Sequence, residues 1–570
     1  MFLPTTKTEI DKLCWDRLDV IIISGDTYID TSYSGAAIIG KVLLNAGYKV
    51  GIIAQPDIYN EIDITRLGEP RLFWGVTSGC VDSMVANYTA TKKPRRKDDF
   101  TPGIVNNKRP DKATIVYSNL IRKYFKKTVP IILGGIEASL RRISHYDYWD
   151  DKIRRSILFD SKADYLVYGM GEKATLEIAR YLKNSLQNNL KNIGDLKEIR
   201  GICYISKEPK ENYIPLPSFE EVISEKEKFI EMLHIFYRNN DPVTGKGLYQ
   251  KHGNRYLIQN PPANYLTQEE IDNIYNLDFE RDVHPYYKKD GKVRALETIR
   301  YSITTHRGCF GECNFCAITI HQGTNIVSRS QESIIKEVKS IVKIPEFKGI
   351  ISDIGGPTAN MYATGCEKME KFGKCLKKDC LFPTTCKKLN NNHDRQIELL
   401  RNLRKIKGIK KVFVASGIRY DMIIDDKVSG IKYLEELIEH HVSGQLKVAP
   451  EHTEQKVLKL MRKPVIQYLE KFKNQFDTIN KRKKKDQYLT YYLIAAHPGC
   501  NFKEEVKMKR YISKELKINP EQVQIFTPTP STYSTLMYYT EMNPWTGEKL
   551  FVEKNPVKKE KHKQAIITAM

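Results

Sequence analysis

The stretch "CFGECNFC", residues 309 to 316, holds three of the eleven cysteines of this 570-residue chain. Its spacing, Cys-x3-Cys-x2-Cys, lacks the fourth cysteine that ferredoxin sequences carry nearby. Thiolates from Cys309, Cys313 and Cys316 can bind three irons of a cubane cluster and leave the fourth iron open. The stretch therefore predicts a 4Fe-4S site with one position for an outside ligand.

Two other kinds of site remain as alternatives for these cysteines. A redox pair of Cys313 and Cys316 would leave Cys309 unexplained. A structural zinc ion would need a fourth ligand, for which His306 or Cys500 could serve, although zinc sites usually combine two spaced pairs. The cluster is favoured because the cysteines follow directly on a predicted strand.

The chain around this stretch alternates strands and amphipathic helices, which predicts a barrel or partial barrel of six βα units. Active sites of such folds lie at the carboxyl ends of the strands, where the three cysteines are placed. Strands are predicted at 299–305, 349–354, 411–416, 445–448, 488–495 and 522–526. Helices are predicted between them at 331–343, 395–407, 430–441, 454–462 and 502–516.

The first part of the chain alternates strands and helices in the manner of a doubly wound α/β sheet. Its predicted strands end in glycine or a polar turn, and ligands in such sheets bind beyond these carboxyl ends. The strands lie in "DVIIISGD", "YKVGIIAQP", "LFWGVTSG", "VPIILGGIEAS" and "ADYLVYGMGEKA". The turns expected to border the cleft are Ser24–Asp30, Ser78–Cys80, Gly134–Ser139 and Gly169–Glu172.

These patterns divide the α/β chain into four parts. Residues 1–205 form the doubly wound module, and 206–290 form a connector with some helix, since the regular alternation is lost there. Residues 291–535 form the barrel, which carries a cysteine-containing insertion at 357–394. A basic tail covers 536–570.

The bulk composition restricts the compartment and the partners. A formal charge of +23 allows a nucleic-acid surface, but a solvated lysine-rich surface is favoured, because Lys, Ile and Asn are all abundant. No apolar run approaches the ~18 residues of a membrane span, and the start lacks the apolar region of a secretory signal. A cytoplasmic protein is therefore expected. Thiols stay reduced in that compartment, so clustered cysteines indicate metal or redox chemistry.

The stretch 309 to 316 resembles the signature of the radical S-adenosylmethionine (radical SAM) superfamily. The resemblance implies that the methionyl amine and carboxylate of SAM bind the open iron. It also implies that an electron from the cluster cleaves SAM to a 5'-deoxyadenosyl radical. Phe315 matches the aromatic residue that borders the adenine. On this interpretation the missing fourth ligand is the cosubstrate.

Other positions match the superfamily one by one. Gly355 and Gly356 end the second barrel strand, where the superfamily has a turn whose backbone meets the methionyl amine. Pro357 stands where Glu is usual, so no side-chain role is expected there. Ser416 and Arg419 follow the third strand, from which polar side chains reach the ribose or carboxylate of SAM.

The fourth and fifth strand ends resemble those of methylthiotransferase-like barrels, which implies that Glu451, His452 and His497 point toward the reaction space. Over residues 15 to 565 the chain is similar to the YgiQ-type radical SAM proteins, whose reaction is not established. The resemblance implies a flavodoxin- or ferredoxin-type reductant. The shared motifs are "GDTYID", "AGYKVGIIAQP", "HRGCFGECNFC", "SDIGGPTANMY", "ASGIRYD", "APEHT" and "PTPSTYSTLMYYTEMNPWTGEK".

A second group of cysteines, Cys366, Cys375, Cys380 and Cys386, lies in the insertion after the second barrel strand. An auxiliary iron-sulfur cluster, a structural zinc ion and partly unligated thiols are the alternatives. The spacing does not choose between them, because tetrahedral sulfur sites suit both zinc and iron-sulfur.

The amino-terminal module resembles the cobalamin-binding domain of several radical SAM enzymes. The Asp-x-His-x-x-Gly motif that supplies the axial histidine is absent, since the corresponding loop has Asp26 and Asp30 but no histidine. Cobalamin without a protein ligand is one alternative. A domain that keeps the fold and binds another ligand is the other.

The expected activity is reductive SAM cleavage followed by hydrogen abstraction from an unknown substrate. Methylation or methylthiolation of RNA or protein is one alternative outcome, and the basic charge favours RNA within it. Rearrangement of a small metabolite is another. A non-catalytic iron-sulfur or zinc protein that binds nucleic acid is the alternative from a different class.

Overall fold

The structure is a computed structural model that describes residues 1–187, 194–520 and 523–568. It divides into two compact units. The amino unit comprises Met1–Thr89, Lys93–Tyr265 and Leu277–Arg300. The barrel unit comprises Ala90–Lys92, Leu266–Asn276 and the chain from Tyr301 onward.

The amino unit is built on a sheet of nine strands among its described residues, in the order β2-β1-β3-β4-β7-β8-β11-β10-β9. Pairing is parallel from β2 through β7 and antiparallel from β7 to β10. The strands of this unit, including a separate hairpin of β5 and β6, are β1 Val20–Ser24, β2 Val50–Ala54, β3 Phe73–Thr77, β4 Ile131–Leu133, β5 His145–Asp147, β6 Lys152–Arg154, β7 Tyr165–Val167, β8 Ile202–Ser206, β9 Ile214–Leu216, β10 Leu248–His252 and β11 Arg255–Gln259.

The parallel strands are buried on both faces. Every residue of β1 and β2 is buried, as expected of strands that carry continuous Val and Ile rather than alternating polar residues. β1 pairs with β2 on one side and with β3 on the other, and both pairings are parallel. The order in which strands are added to the sheet therefore reverses at β1. The structure thus confirms the doubly wound sheet and its five predicted strands.

The helices of the amino unit cover this sheet. The helix Gly35–Asn45 begins after Ser34, whose hydroxyl accepts a hydrogen bond from the amide of Ala37, and it buries Ile38, Val42 and Leu43. The α-helices are Lys7–Lys12, Gly35–Asn45, Ile62–Thr65, Ser83–Asn87, Ala113–Tyr124, Gly135–Leu140, Ile157–Ser161, Glu172–Gln187, Phe219–Ser224, Lys226–Arg238, Pro285–Lys288 and Ala295–Ile299, with 3-10 turns at Pro102–Ile104 and Gly194–Glu198.

The segment 206–290, expected to be a connector, contains three strands of the nine-stranded sheet, β9, β10 and β11. The hairpin of β10 and β11 pairs with β8, which itself pairs with β7. Sequence reasoning did not find these strands because charged residues interrupt their apolar pattern. The domain boundaries drawn from the sequence remain a prediction.

Among its described residues, the barrel unit has six successive positions of parallel strands, which are occupied by β12, by β15 with β16, and by β17, β18, β19 and β20. Its strands are β12 Ser302–Thr304, β13 His306–Arg307, β14 Val327–Ser328, β15 Ile350–Ile351, β16 Asp353–Gly355, β17 Lys411–Val412, β18 Gln445–Glu451, β19 Tyr488–Ala495 and β20 Val523–Ile525. The parallel pairings are β12 with β16, β15 with β17, β18 with β19 and β19 with β20, and a bridge joins Ile418 to Val448. This order confirms the predicted partial barrel.

The helices between these strands match the five predicted ones in position. Two of them continue into π-helical turns, at Leu437–His441 and Ile512–Leu516. Helices Ile466–Arg482 and Pro556–Ile567 were not predicted. The α-helices of the unit are Gln268–Tyr275, Ile318–Gln322, Gln331–Val342, Glu367–Phe372, Asp394–Arg404, Tyr420–Asp425, Gly430–Glu436, Gln455–Met461, Ile466–Arg482, Phe502–Tyr511, Tyr533–Thr540 and Pro556–Ile567, with a 3-10 turn at Ala359–Met361.

The core of the barrel unit consists of aliphatic and aromatic side chains from its strands and surrounding helices, including Ile303, Ile354, Val412, Leu446 and Leu493. Burial of each such side chain contributes about 1.5–3 kcal/mol. In the described part of the chain, no helix has the length and apolar character that crossing a membrane requires.

Candidate functional site

The three-cysteine loop follows β13 and is held by backbone contacts that only glycine allows. Gly308 has φ +87°, and a Cβ there would lie 1.9 Å from the carbonyl oxygen of Asn325. The middle of the loop is anchored by Asn314, whose backbone and side-chain amides donate to the carbonyls of Met461 (3.1 Å) and Leu460 (2.7 Å). The loop therefore has a defined position at the carboxyl ends of the barrel strands.

Two of the three sulfurs of this loop, those of Cys309 and Cys313, lie close to Gly311. Its amide donates to Cys309 Sγ at 3.3 Å. A Cβ on Gly311 would lie 3.2 Å from Cys309 Sγ, 3.7 Å from Cys313 Sγ and 2.9 Å from Arg419 Nη1. Burial raises the pKa of both Cys309 and Cys316, the latter to about 12. These thiols are thus neutral until a metal replaces their protons.

A positive charge faces the sulfurs from the turn after the third barrel strand. Arg419 Nη1 lies 4.0 Å from Cys313 Sγ. The guanidinium is clamped by Asp421 through two hydrogen bonds of 2.8 and 2.6 Å, and the Arg419 backbone is held by the side chain of Asn360. Burial alone would lower the Arg419 pKa, but Asp421 and the neighbouring cysteines raise it. Arg419 therefore remains charged beside the thiols.

The two glycines that end the second barrel strand have close neighbours in the protein. A Cβ on Gly356 would lie 2.6 Å from Cε1 of the His306 ring, and one on Gly355 would lie 3.3 Å from Cβ of Ser416. The Ser416 hydroxyl donates to the carboxylate of Asp353. The structure thus explains both glycines by packing, while the roles inferred for them and for Ser416 toward SAM remain predictions.

Phe315 packs in a small apolar cluster with Val457, Met461, Cys500 and Ile494. It is partly exposed, between two cysteines of the loop. Part of the side chain is therefore covered by helix Gln455–Met461 and the end of β19, and its expected place beside the adenine of SAM remains a prediction.

Glu451 ends β18 in an unusual backbone conformation. A register shift in the pairing with β19 precedes it, and its φ is +69°. Burial raises the Glu451 pKa, which the charges of Lys463 and Arg419 oppose. Left-handed non-glycine residues and bulges concentrate at functional sites. Glu451 also acts electrostatically on Cys316, so it belongs to the surroundings of the cysteine loop.

His452 and His497 are fully buried, and their expected orientation toward the reaction space remains a prediction. His452 Nε2 lies 3.4 Å from Cys500 Sγ and 3.6 Å from an oxygen of Glu505. Its Nδ1 accepts the amide hydrogen of Glu454 at 3.0 Å, which places the ring proton of the neutral histidine on Nε2.

The side chains of His452, Cys500 and Glu505 could hold a metal ion by spacing alone, since their ligand atoms lie within 4.8 Å of one another. The proton on Nε2 argues against this, because a metal-binding nitrogen needs a free lone pair. Burial alone would raise the Glu505 pKa, but hydrogen bonds with His452 and His562 hold it at about 2. The group is best described as a buried hydrogen-bonded network centred on the Glu505 carboxylate.

The amino unit carries buried ion pairs at the carboxyl ends of its strands. Arg109 Nη1 lies 2.8 Å from Asp26, and Lys41 Nζ lies 3.1 Å from Asp30. Both carboxylates of the loop after β1 are therefore neutralised within the protein. They do not fit the role of an axial ligand to cobalamin, and no step of the activity is assigned to a corrinoid.

Two family descriptions match the chain. Residues 2–302 match "Radical SAM N-terminal", and residues 303–512 match "Radical SAM superfamily". Together they cover both units of the fold.

Curated relatives named UPF0313 proteins are similar along nearly the whole chain. The relative from Fusobacterium nucleatum is 61% identical over 566 residues, which cover 99% of this chain and 98% of that protein. The relative from Thermotoga maritima is 50% identical over 570 residues, with 100% and 98% coverage. The relative from Methanocella arvoryzae is 51% identical over 552 residues, with 96% and 90% coverage.

Two solved structures resemble the fold distantly. The radical S-adenosylmethionine methyltransferase TsrM from Kitasatospora setae is 11% identical, with a TM-score of 0.49 over 96% of this chain and 88% of that chain. The cobalamin-dependent S-adenosylmethionine radical enzyme OxsB is 12% identical, with a TM-score of 0.49 over 96% of this chain and 57% of that chain.

The extent of the family matches and the identity to the curated relatives lead to one conclusion. The chain belongs to the UPF0313, or YgiQ, family of radical SAM enzymes, for which a 4Fe-4S cluster and SAM are the cofactors.

Proposed function

We propose that the enzyme binds its 4Fe-4S cluster through Cys309, Cys313 and Cys316 and cleaves SAM reductively to abstract a hydrogen atom from a substrate. The observation that carries the proposal is the grouping of Cys309 and Cys313 Sγ around Gly311, beside the Arg419 guanidinium. The residues fit the group, because three thiols and a neighbouring cation suit an anionic cluster with one open iron.

The bound cofactors supply one chemical capability. Held by the three cysteines, the cluster would supply one electron to SAM for cleavage of its bond between sulfur and the 5' carbon, with methionine and, after hydrogen abstraction, 5'-deoxyadenosine as products. A flavodoxin- or ferredoxin-type protein is the proposed electron donor. The substrate class remains open.

The chain's own residues position this chemistry. The Arg419 charge lowers the energy of negative charge on the thiolates, and Asp421 keeps the guanidinium in one orientation. Thr358 adds a hydroxyl 3.5 Å from Cys309 Sγ. Because Gly311 has no side chain, the space next to the sulfurs stays open.

Phe310 keeps water away from part of the loop. Phe310 is 1% exposed in an apolar cluster that includes Met361 and Met422. Water exclusion strengthens the interaction of Arg419 with the thiolates, because charges interact more strongly at low dielectric constant.

The test is anaerobic reconstitution with iron and sulfide, followed by an assay for 5'-deoxyadenosine with SAM and dithionite. The Cys313→Ala variant is expected to lose SAM cleavage, and Cys14→Ala, which removes an exposed cysteine of the amino unit, is the matched control. Production of 5'-deoxyadenosine by Cys313→Ala at the wild-type rate would overturn the assignment.

A further inference from the structure

We propose that Cys366, Cys375, Cys380 and Cys386 bind a second 4Fe-4S cluster, which has all four of its irons ligated by protein and therefore does not bind SAM. The proposal is independent of the reaction proposed above. It concerns the four-cysteine loop, defined here as residues 365–390 of the barrel unit.

The loop is closed at its base and brings its cysteines together. The backbones of Gly365 and Asn390 exchange hydrogen bonds of 3.2 and 2.9 Å, so the two ends of the loop are adjacent. Within it, the amide of Cys386 donates to the carbonyl of Cys380 at 2.8 Å. The side chains of Cys366, Cys380 and Cys386 lie in one packed cluster with Leu381 and Leu389 of the same loop.

The loop has little regular structure to hold it in this shape. Helix Glu367–Phe372 is its only helix among the described residues, and 373–389 contains no strand. Irregular segments of this length are uncommon in compact domains unless they are functional. Phe372 and Leu376 are 69% and 74% exposed, and the buried apolar side chains of the loop are Met369, Leu381 and Leu389. A metal centre would add to the stabilisation from this small core, since binding to converging thiolates contributes directly to folding.

The separation of the sulfurs favours an iron-sulfur cluster over zinc. Tetrahedral zinc with bonds of about 2.3 Å holds its sulfurs about 3.8 Å apart. Among the described residues, the one set of three ligand atoms found within 4.8 Å of one another is that of His452, Cys500 and Glu505. Neither cysteine group meets this spacing. The second group is therefore not arranged around a single tetrahedral ion, and in this respect it matches the first group, which is assigned to a cubane.

The loop packs directly against the first cysteine loop. Cys366, Cys380 and Cys386 share an apolar cluster with Phe310 and Cys309. A buried ion pair joins Lys374 of the four-cysteine loop to Glu312 of the first loop. A second ion pair, 2.6 Å long, joins Asp379 to Arg462. The second cluster therefore lies next to the first.

The decisive experiment compares three full-length chains reconstituted anaerobically. Wild type is expected to bind about eight irons, four for each cluster. The triple variant Cys309→Ala, Cys313→Ala, Cys316→Ala should keep about four irons and four sulfides with an EPR signal that SAM does not change. The double variant Cys375→Ser, Cys386→Ser should keep about four irons with a signal that SAM changes.

Two results would overturn the proposal. One is a triple variant, folded by circular dichroism, that binds one zinc ion or no metal. The other is a wild-type chain with about four irons whose Mössbauer spectrum changes entirely with SAM. The wild-type measurement decides even where a variant does not fold, because the proposal requires half of the iron to be unaffected by SAM. If the wild-type chain contained only iron that SAM does not affect, the proposed function would be contradicted and the second cluster would not.

Discussion

Replacing Arg419 by Gln should make the SAM-binding cluster harder to reduce. At 4.0 Å from Cys313 Sγ the guanidinium interacts with a unit negative charge by about 4 kcal/mol at an effective dielectric constant of 20. The added electron is spread over the cluster, and Asp421 opposes the effect, so we take about half of this energy. For one electron, about 2 kcal/mol corresponds to a reduction potential lower by about 90 mV.

The single variant also leaves Asp421 as a buried, unpaired carboxylate, which is itself destabilising. The informative chain is therefore Arg419→Gln combined with Asp421→Asn, which replaces the ion pair by two neutral amides. Arg419→Lys is the matched control, because it keeps the positive charge. We expect the double variant to have the lower potential and the lysine variant to stay close to wild type.

The assay is a potentiometric titration followed by the EPR signal that responds to SAM. Iron content and circular dichroism must match wild type, so that the potential is compared between intact clusters. If the double variant carries its full iron content and its potential equals that of wild type, Arg419 does not act on the cluster electrostatically. The positioning argument made from its contacts would then be wrong.

Gly311→Ala should abolish cluster binding, because the new Cβ would overlap Arg419 Nη1. The measurement is the iron content. The control is Gly417→Ala, which should retain the cluster, since no atom lies within 4 Å of the new Cβ there. His252, stacked on Phe159 and Phe219, has its pKa lowered by burial to about 3. The folded protein thus takes up a proton less readily than the unfolded chain, and stability present above pH 6.5 is lost as pH falls toward 3. This amounts to about 1 kcal/mol at pH 5.5. His252→Phe should lose less thermal stability between pH 7.5 and 5.5 than wild type, and an equal loss would contradict the assignment.

Local pattern was enough to identify the elements that carry the site. The strands β1, β2 and β19 were predicted because continuous apolar runs between turns are visible within a few residues. The three-cysteine loop was predicted because its spacing lies within eight positions. Features of this kind depend on neighbours in the chain, so the linear sequence contains them.

Contacts between distant parts of the chain required the tertiary structure. Gly311 and Arg419 are about a hundred residues apart, and no periodicity relates them. Glu505, which sequence reasoning missed, joins His452 from a helix beyond β19. The hydrogen bond from the amide of Glu454 to the His452 ring is likewise visible only in the structure.

The amino-acid sequence by itself determined the alternation of strands and helices, the three-cysteine motif and the family resemblance, because each is written in residues close together in the chain. The tertiary structure decided which side chains surround the sulfurs and that the insertion with the four cysteines packs beside them. It also decided that β9, β10 and β11 extend the amino sheet. The physical reason is that packing brings together groups far apart in the chain, and their distances depend on the whole fold rather than on local propensity.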